Sequence, residues 1–288
     1  MGEFQQQLFT LFGGLICLFT LVKCSRFLKY FFLRVWNALP QSFFRSMGEW
    51  AGNGRFPHIF ILAKHGLNIV MISRTLEKMQ TVAAEIEEAT GRNVKIIQAD
   101  FTKDDIYENI EESLQGLEIG ILVNNVGMLH NPLPCCFLNG PDTDEVGLFC
   151  STLQKGLILN LSSGLGTFPC PLYAMYSASK AFVCMFSKAL QAEYKAKGII
   201  IQVVTPYGVS TQMTMYQNPN LITKTAEEFV RESLNYVTVG EETFGCLAHE
   251  ILACILQLIP LWVFHSDRLQ EVILNTFTTY LKRNRKSL

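Results

Sequence analysis

The sequence predicts an α/β fold built on a doubly wound parallel sheet, with helices covering both faces. Two observations predict it. From residue 67 onward, short apolar runs alternate with amphipathic stretches, and polar residues follow the ends of several of these runs. Continuous apolar runs of this kind are typical of strands buried on both faces. Ligands bind beyond the carboxyl ends of such strands, so the polar residues there form the candidate site.

Each element of this alternation is bounded by the sequence itself. Ile, Leu and Val fill the strand runs, whereas the helical stretches carry charged residues on one face. We predict strands at 67–72, 94–99, 119–123, 156–161 and 199–204, and helices near 76–89, 104–114 and 176–197.

Composition indicates one large α/β domain with appendages. The chain has 288 residues, of which 49% are hydrophobic, and a net charge of −1, which argues against nucleic-acid binding. Nine cysteines without a Cys-x-x-Cys motif indicate reduced thiols, and five histidines show no metal-ligand spacing. We divide the chain into an amino-terminal segment (1–47), the α/β domain (48–265) and a basic tail (266–288).

The amino-terminal segment predicts a membrane anchor. Mean hydropathy of the chain is positive, at +0.21, and the run Leu8–Val22 carries no charge. Four basic residues follow this run, whereas Glu3 is the only charge before it, which favours a cytosolic carboxyl-side domain. A cleaved signal peptide is the competing interpretation. It fits less well, because the basic residues follow the apolar run and no small-residue cleavage pattern is evident.

Two more apolar stretches lie outside the alternating region. Residues 27–39 lie along a membrane surface or pack on the domain, and the sequence leaves both possibilities open. The stretch Ile251–Phe264 is interrupted by Gln257 and Pro260 and has 14 residues, so we predict a core or interfacial helix. The basic tail after it is expected to be a solvated terminus or a contact for anionic lipids.

Tyr176, Lys180 and Ser163 form the candidate catalytic group. Tyr176 and Lys180 stand four residues apart in a predicted helix and therefore share a face. A phenol has a reference pKa near ~10, and a neighbouring ammonium group stabilises its phenolate, so that it can transfer a proton near neutral pH. Ser163 follows the 156–161 strand, where its hydroxyl can donate to a carbonyl oxygen that gains negative charge. Together they predict a proton-transfer site for reducing a carbonyl, with Ser163 and Tyr176 contacting the substrate.

The other strand ends supply candidate cofactor-binding residues. An arginine after a strand can pair with a ribose 2′-phosphate, so Arg74 favours NADPH over NADH. Asp100 reaches adenine or caps the next helix, the Asn124 amide can tie adjacent strands, and Thr211 can hold a nicotinamide carboxamide. The full candidate set is Ser73, Arg74, Asp100, Asn124, Val126, Gly127, Tyr176, Lys180, Pro206, Val209 and Thr211.

These motifs resemble the short-chain dehydrogenase/reductase family. The resemblance rests on Leu122-Val-Asn-Asn-Val-Gly127, Ser162-Ser163 and Tyr176-x-x-x-Lys180, and it is closest to the membrane-anchored 17β-hydroxysteroid dehydrogenase branch. It implies a Rossmann-like fold, possible dimerisation, and NADPH-dependent reduction of a 17-ketosteroid (androstenedione to testosterone) at the endoplasmic reticulum membrane. By the same resemblance, Tyr176 is the proton donor and Lys180 binds the nicotinamide ribose. Ser163 orients the ketone, and Arg74 reads the 2′-phosphate.

The sequence departs from the family pattern in two places. Between residues 50 and 63 the family has a strand and a glycine-rich turn that cradles phosphates. Here no strand is predicted before Gly52 and Gly54, and Pro57 at best begins a shortened helix. We therefore expect the first strand and the glycine loop to be truncated.

The second departure lies between residues 141 and 155, where the family has a long helix with an asparagine of the proton relay. This chain has a short linker without asparagine. Three hypotheses remain: a 17-ketosteroid reductase, a very-long-chain 3-oxoacyl-CoA reductase, and an inactive membrane protein that lacks the glycine loop. The 127–134 segment and the lack of a dilysine ending favour the first over the second.

Overall fold

The computed structural model describes residues 2–36, 39–40, 42–52, 56–101, 106–124, 156–214 and 216–285. The chain divides into two compact units, Met1–Leu39 and Pro40–Leu288. The first unit contains one helix, α1 (Glu3–Trp36). Within it, Gln5–Val22 is long and apolar enough to cross a membrane, with a mean hydropathy of 1.4, although signal sequences share these properties.

The second unit contains a seven-stranded sheet of order β3-β2-β1-β4-β5-β6-β9, whose strands all pair in parallel. This order confirms the predicted doubly wound fold. A separate two-stranded sheet joins β7 and β8. The strands are β1 (Trp50–Gly52), β2 (Asn68–Ser73), β3 (Val94–Gln98), β4 (Ile119–Asn124), β5 (Gly156–Leu161), β6 (Ile199–Val204), β7 (Val209–Ser210), β8 (Lys224–Thr225) and β9 (Glu242–Thr243).

Helices connect these strands and cover the sheet. The strands beneath them are buried on both faces, as the continuous apolar runs of β5 and β6 predicted, and these two strands have the predicted bounds. The helices of the second unit are α2 (Phe56–Lys64), α3 (Leu76–Thr90), α4 (Tyr107–Leu114), α5 (Ala174–Tyr194), α6 (Ala226–Leu234), α7 (Leu247–Leu256), α8 (Leu261–Phe264) and α9 (Asp267–Arg285).

Strand β1 corrects one prediction. The expectation that no strand precedes Gly52 is wrong, because Trp50–Gly52 pairs with β2 on one side and β4 on the other. The strand has three residues, whereas β2 and β4 have six each. Its approach requires two glycines: a Cβ on Gly120 of β4 would lie 2.3 Å from the backbone nitrogen of Gly48. Contacts from both neighbours thus form a strand that three residues alone would not specify.

Residues 53–55 and 125–155 lie outside the described part of the chain. The first range holds Gly54 of the expected glycine loop. The second holds the linker in which the family has its long helix. The truncation of the loop and the loss of that helix therefore stay predictions.

The carboxyl-terminal part has an exposed apolar surface. Residues 251–266 contain no Asp, Glu, Lys or Arg, and they form most of α7 and all of α8, on either side of Pro260. His249 and Ala253 of α7 are buried, but Leu258 and Trp262 are 67% and 74% exposed. The basic tail, expected as a solvated terminus, forms the helix α9 over its described residues.

Candidate active site

Ser163 lies just beyond the carboxyl end of β5 and is buried. Its backbone is extended, and it caps the short 3-10 turn at 164–167, where its Oγ accepts a hydrogen bond from the Leu165 N–H at 3.3 Å. This bond uses an acceptor position and leaves the hydroxyl hydrogen available to donate. A carbonyl oxygen at this edge of the sheet can receive that hydrogen.

Tyr176 and Lys180 lie one turn apart near the start of α5, as predicted. The Lys180 Nζ donates to the carbonyl oxygen of Leu161 at 3.1 Å, which holds the ammonium group at the end of β5. The same Nζ lies 5.8 Å from the centre of the Tyr176 ring. At this distance a positive charge favours the ionised form of a phenol, so the pair has the chemistry of a proton donor.

The turn after Ser163 packs on the first turn of α5, which brings Ser163 and Tyr176 to the same place. Ser177, the neighbour of Tyr176, donates through its Oγ to the carbonyl oxygens of Leu165 at 2.8 Å and Phe168 at 3.1 Å. Hydrogen bonds therefore join the elements that carry the three predicted catalytic residues, namely the end of β5, the turn and α5.

A second contact fixes α5 to the end of β5. Ser162 donates through its Oγ to the backbone oxygen of Lys180 at 2.6 Å, and the Cys184 thiol donates to that Oγ at 3.2 Å. Burial raises the pKa of the Cys184 thiol, so it stays protonated and can act as this donor. The backbone of Lys180 is thus positioned independently of its side chain.

Asn124 ties two strands together, as its position at the end of β4 suggested. Its Nδ2 donates to Oδ1 of Asn160 on β5 at 2.8 Å, and Nδ2 of Asn160 donates to Oγ of Ser187 on α5 at 2.9 Å. This series of hydrogen bonds runs from β4 through β5 to α5, the helix that carries Tyr176. Val126 and Gly127, which we also predicted at this site, lie outside the described residues.

The ends of β2 and β3 carry the predicted ribose-binding residues. Ser73 ends β2, and the next residue, Arg74, has a side chain that is 62% exposed. The Arg74 Nε lies 3.9 Å from Oδ1 of Asp100, and Gln98 of β3 donates to the Arg74 carbonyl at 3.0 Å. The guanidinium group is therefore held at the strand edge while remaining accessible to an anion.

The segment after β6 carries Pro206, Val209 and Thr211. The Gly164 N–H donates to the Pro206 carbonyl at 2.8 Å, so this segment meets the turn beside Ser163. Thr214, which the sequence did not single out, donates to the Val209 carbonyl at 2.6 Å and accepts from the Thr211 N–H at 2.9 Å. Thr214 therefore fixes the backbone of Val209 and Thr211, two of the predicted cofactor-binding residues, through hydrogen bonds within a local turn.

Tyr173 is a second phenol beside Tyr176. Its ring centre lies 6.4 Å from that of Tyr176, in an edge-on arrangement. Burial raises the pKa of Tyr173 well above its ordinary value, and the neighbouring Cys170 and Tyr176 raise it by smaller amounts. Tyr173 therefore stays protonated, and Tyr176, which has Lys180 one turn away, is the phenol suited to proton transfer.

His249 is the main residue that the sequence reasoning missed. It is 0% exposed on α7, and its two ring nitrogens lie within hydrogen-bond distance of Tyr207 and Ile222 in the segment after β6. These partners are 42 and 27 residues away along the chain. No local motif signals such an arrangement, and a search for metal-ligand spacing passes over it.

The fold is that of a class of dehydrogenases. The family model described as short chain dehydrogenase matches residues 59–146 and 148–221. The chain therefore belongs to the short-chain dehydrogenase family and has its oxidoreductase fold.

Among relatives, the chain is 59% identical over 309 residues to 17-beta-hydroxysteroid dehydrogenase type 3 of Homo sapiens, with 99% of each chain covered. It is 36% identical over 286 residues to the very-long-chain 3-oxoacyl-CoA reductase of Homo sapiens, covering 88% of this chain and 89% of that one. The motifs had indicated the steroid dehydrogenase branch and its testicular, type three member, and that resemblance is confirmed.

A solved short-chain dehydrogenase from Sphingobium yanoikuyae, in complex with NADPH, has a similar fold. Its TM-score is 0.56 at 22% identity, and the match covers 67% of this chain and 86% of that one. At this identity the likeness supports the fold.

Proposed function

We propose that this protein is an NADPH-dependent reductase that converts a 17-ketosteroid, androstenedione, to testosterone. One observation carries the proposal: 59% identity to a type 3 17-beta-hydroxysteroid dehydrogenase extends over 99% of both chains. The arrangement of Ser163, Tyr176 and Lys180 at one strand end supports it, because it supplies the proton that ketone reduction requires.

Three side chains share the work on the ketone. The Ser163 hydroxyl donates a hydrogen bond to the ketone oxygen and stabilises the charge that develops there. The Tyr176 hydroxyl then transfers its proton to that oxygen. The Lys180 ammonium, held by the Leu161 carbonyl, stabilises the phenolate that remains. Proton transfer by a positioned acid contributes roughly 10²–10⁴-fold to the rate.

The residues at the sheet edge fit a phosphorylated dinucleotide. Arg74 is an exposed cation beside Asp100, and a guanidinium group pairs well with a 2′-phosphate. Pro206, Val209 and Thr211 lie at the other end of the edge, beside Ser163, where the nicotinamide would be held. When bound, NADPH supplies the hydride. The structure of the NADPH-bound bacterial relative is consistent with this choice of cofactor.

The remaining assignments follow from the same proposal. Residues 1–47 form a membrane anchor and a juxtamembrane segment, residues 48–265 the dehydrogenase domain, and residues 266–288 the basic tail. In this proposal the anchor holds the enzyme in the endoplasmic reticulum membrane, and the domain faces the cytosol. A second copy of the chain is its proposed partner, in a homodimer. The hydropathy of Gln5–Val22 and the basic residues after it support the anchor.

Two alternatives rest on specific observations. The 36% identity to a very-long-chain 3-oxoacyl-CoA reductase favours an acyl substrate, but it is well below the identity to the steroid enzyme. An inactive protein is favoured by chain length. The comparison with the human type 3 enzyme extends over 309 residues and this chain has 288, so at least 21 positions have no counterpart here.

The test is NADPH binding by the purified full chain in detergent, followed by turnover of androstenedione and of a 3-oxoacyl-CoA. We expect NADPH binding and steroid turnover, with Tyr176→Phe still binding the cofactor but losing roughly 10²–10⁴-fold in rate. Preference for the acyl substrate would support the first alternative. Failure of the wild-type chain to bind NADPH would support the inactive protein, and equal rates in Tyr176→Phe would refute the role of that residue.

A further inference from the structure

We infer that His249 is a positioning residue, which holds the segment from Pro206 to Thr223 against the active-site turn through its two ring nitrogens. The inference rests on the proposed function, in which Pro206, Val209 and Thr211 of this segment hold the nicotinamide end of NADPH. His249 itself lies on α7, outside every motif that identifies the site.

The hydrogen bonds of the ring fix its state. The Tyr207 N–H donates to Nδ1 of His249 at 3.3 Å, so Nδ1 must carry a lone pair. The hydrogen of the neutral ring therefore resides on Nε2, which donates to the Ile222 carbonyl at 2.8 Å. One buried side chain thus connects both ends of the segment to α7.

The first of these bonds acts close to the catalytic residues. Tyr207 directly follows Pro206, whose carbonyl accepts from the Gly164 N–H at 2.8 Å. The Tyr207 ring packs against Gly164 so closely that a Cβ there would lie 2.3 Å from a ring carbon. Fixing the Tyr207 backbone therefore fixes Pro206 and the turn next to Ser163.

The second bond acts on the far end of the segment. Ile222 and Thr223 both donate through their N–H groups to Oδ1 of Asn220 at 2.8 Å, which forms a compact turn. The Ile222 carbonyl of this turn is the group that His249 holds. The exposed Leu221 and Tyr216 lie within the segment, and their apolar surface suits a steroid.

Two variants separate the two bonds. In His249→Asn, the amide oxygen takes the place of Nδ1, so the acceptor for Tyr207 is kept and the donor to Ile222 is lost. In His249→Gln, the amide nitrogen takes the place of Nε2, so the donor to Ile222 is kept and the acceptor for Tyr207 is lost. Both variants lose the ring, so each is the control for the other.

We expect His249→Gln to raise the dissociation constant of NADPH about three- to tenfold, as the loss of one hydrogen bond predicts, with faster hydrogen exchange at the Tyr207 amide. We expect His249→Asn to leave NADPH affinity within about twofold while raising the KM for androstenedione by about three- to tenfold. In that variant the faster exchange falls at the amides of Ile222 and Thr223.

A purely structural role would move all of these quantities together, in proportion to the loss of melting temperature in each variant. That result, or wild-type constants and wild-type exchange in both variants, would overturn the inference. Hydrogen exchange needs no cofactor, so it decides the role of His249 even if the wild-type chain binds no NADPH. The Tyr176→Phe variant tests the proposed function separately, because it should still bind NADPH while its turnover falls far more than its affinity for the cofactor.

Discussion

Replacing Gly120 with alanine should selectively destabilise the centre of the sheet. The added Cβ would lie 2.3 Å from the backbone nitrogen of Gly48, and ordinary contacts begin at 3.4 Å, so the two segments must separate by about 1 Å. Backbone atoms cannot rotate away as a side chain would. Gly52 is the matched control, because it lies in the neighbouring strand β1 and, among the residues that the structure describes, its added Cβ would meet only Leu122, at 3.8 Å.

The magnitude follows from three contributions. Overpacking of this kind costs about 1–3 kcal/mol. Moving β1 away from β4 also weakens the hydrogen bond from the Trp50 N–H to the Glu118 carbonyl, 3.0 Å long, which adds about 1 kcal/mol. Alanine in a strand returns about 0.5–1 kcal/mol relative to glycine. The net loss for Gly120→Ala is about 1–3.5 kcal/mol, whereas Gly52→Ala should be neutral or slightly stabilising.

Thermal unfolding of the purified chain in detergent, followed by circular dichroism, measures the difference. A domain of this size shifts by about 2–4 °C per kcal/mol, so the melting temperature of Gly120→Ala should fall by about 2–14 °C. If Gly120→Ala melts with the wild type, or if Gly52→Ala falls equally, the contact between the two glycines does not limit the sheet.

Three further predictions concern charge, a buried hydrogen-bond chain and pH. Arg74→Ala should raise the KM for NADPH roughly 10- to 100-fold and leave that for NADH nearly unchanged, because only NADPH presents a 2′-phosphate to the guanidinium. Asn160→Ala should lower the free energy of unfolding in urea by about 2–4 kcal/mol, because Asn124 and Ser187 each lose a partner. Burial lowers the pKa of His249, so the native state binds fewer protons than the unfolded one, and stability should fall as pH drops below about 6.5. The wild type should therefore lose more melting temperature between pH 7.5 and pH 5.5 than His249→Gln does, because the variant has no imidazole at this position to protonate.

Each has a result that contradicts it. Equal losses with both cofactors in Arg74→Ala would mean that the side chain does not read the phosphate. Wild-type stability of Asn160→Ala would mean that water replaces its hydrogen bonds. Parallel loss of stability at pH 5.5 in the wild type and His249→Gln would assign the effect to other titrating groups.

Continuous apolar runs specified most of the sheet. Strands β5 and β6 have the predicted bounds, because each is a mostly apolar run, with one amide residue inside it (Asn160 or Gln202), that is flanked at both ends by a glycine or a polar residue. Strand β1 could not be predicted in this way. Trp-Ala-Gly is too short to show a period, and the strand exists because β2 and β4 hydrogen-bond to it from both sides.

In the candidate site, too, the sequence revealed local spacings but not contacts between distant residues. The four-residue spacing of Tyr176 and Lys180 on a helix is local, so the sequence revealed it directly. The hydrogen bond between Lys180 and the Leu161 carbonyl joins residues 19 apart in the sequence. The hydrogen bonds of His249 with Tyr207 and Ile222 join residues that are still more distant. Such contacts depend on how helices pack against the sheet, which no short motif encodes.

The exposed apolar surface of residues 251–266 has a practical consequence for the purification of the enzyme. Deleting the first 39 residues removes the apolar helix α1, yet Leu258 and Trp262 still present apolar side chains to solvent. Patches of this kind promote self-association in dilute buffer. The shortened protein should therefore still need detergent or lipid to remain monodisperse, and polar replacements at Leu258 and Trp262 are the first changes to try for a soluble form.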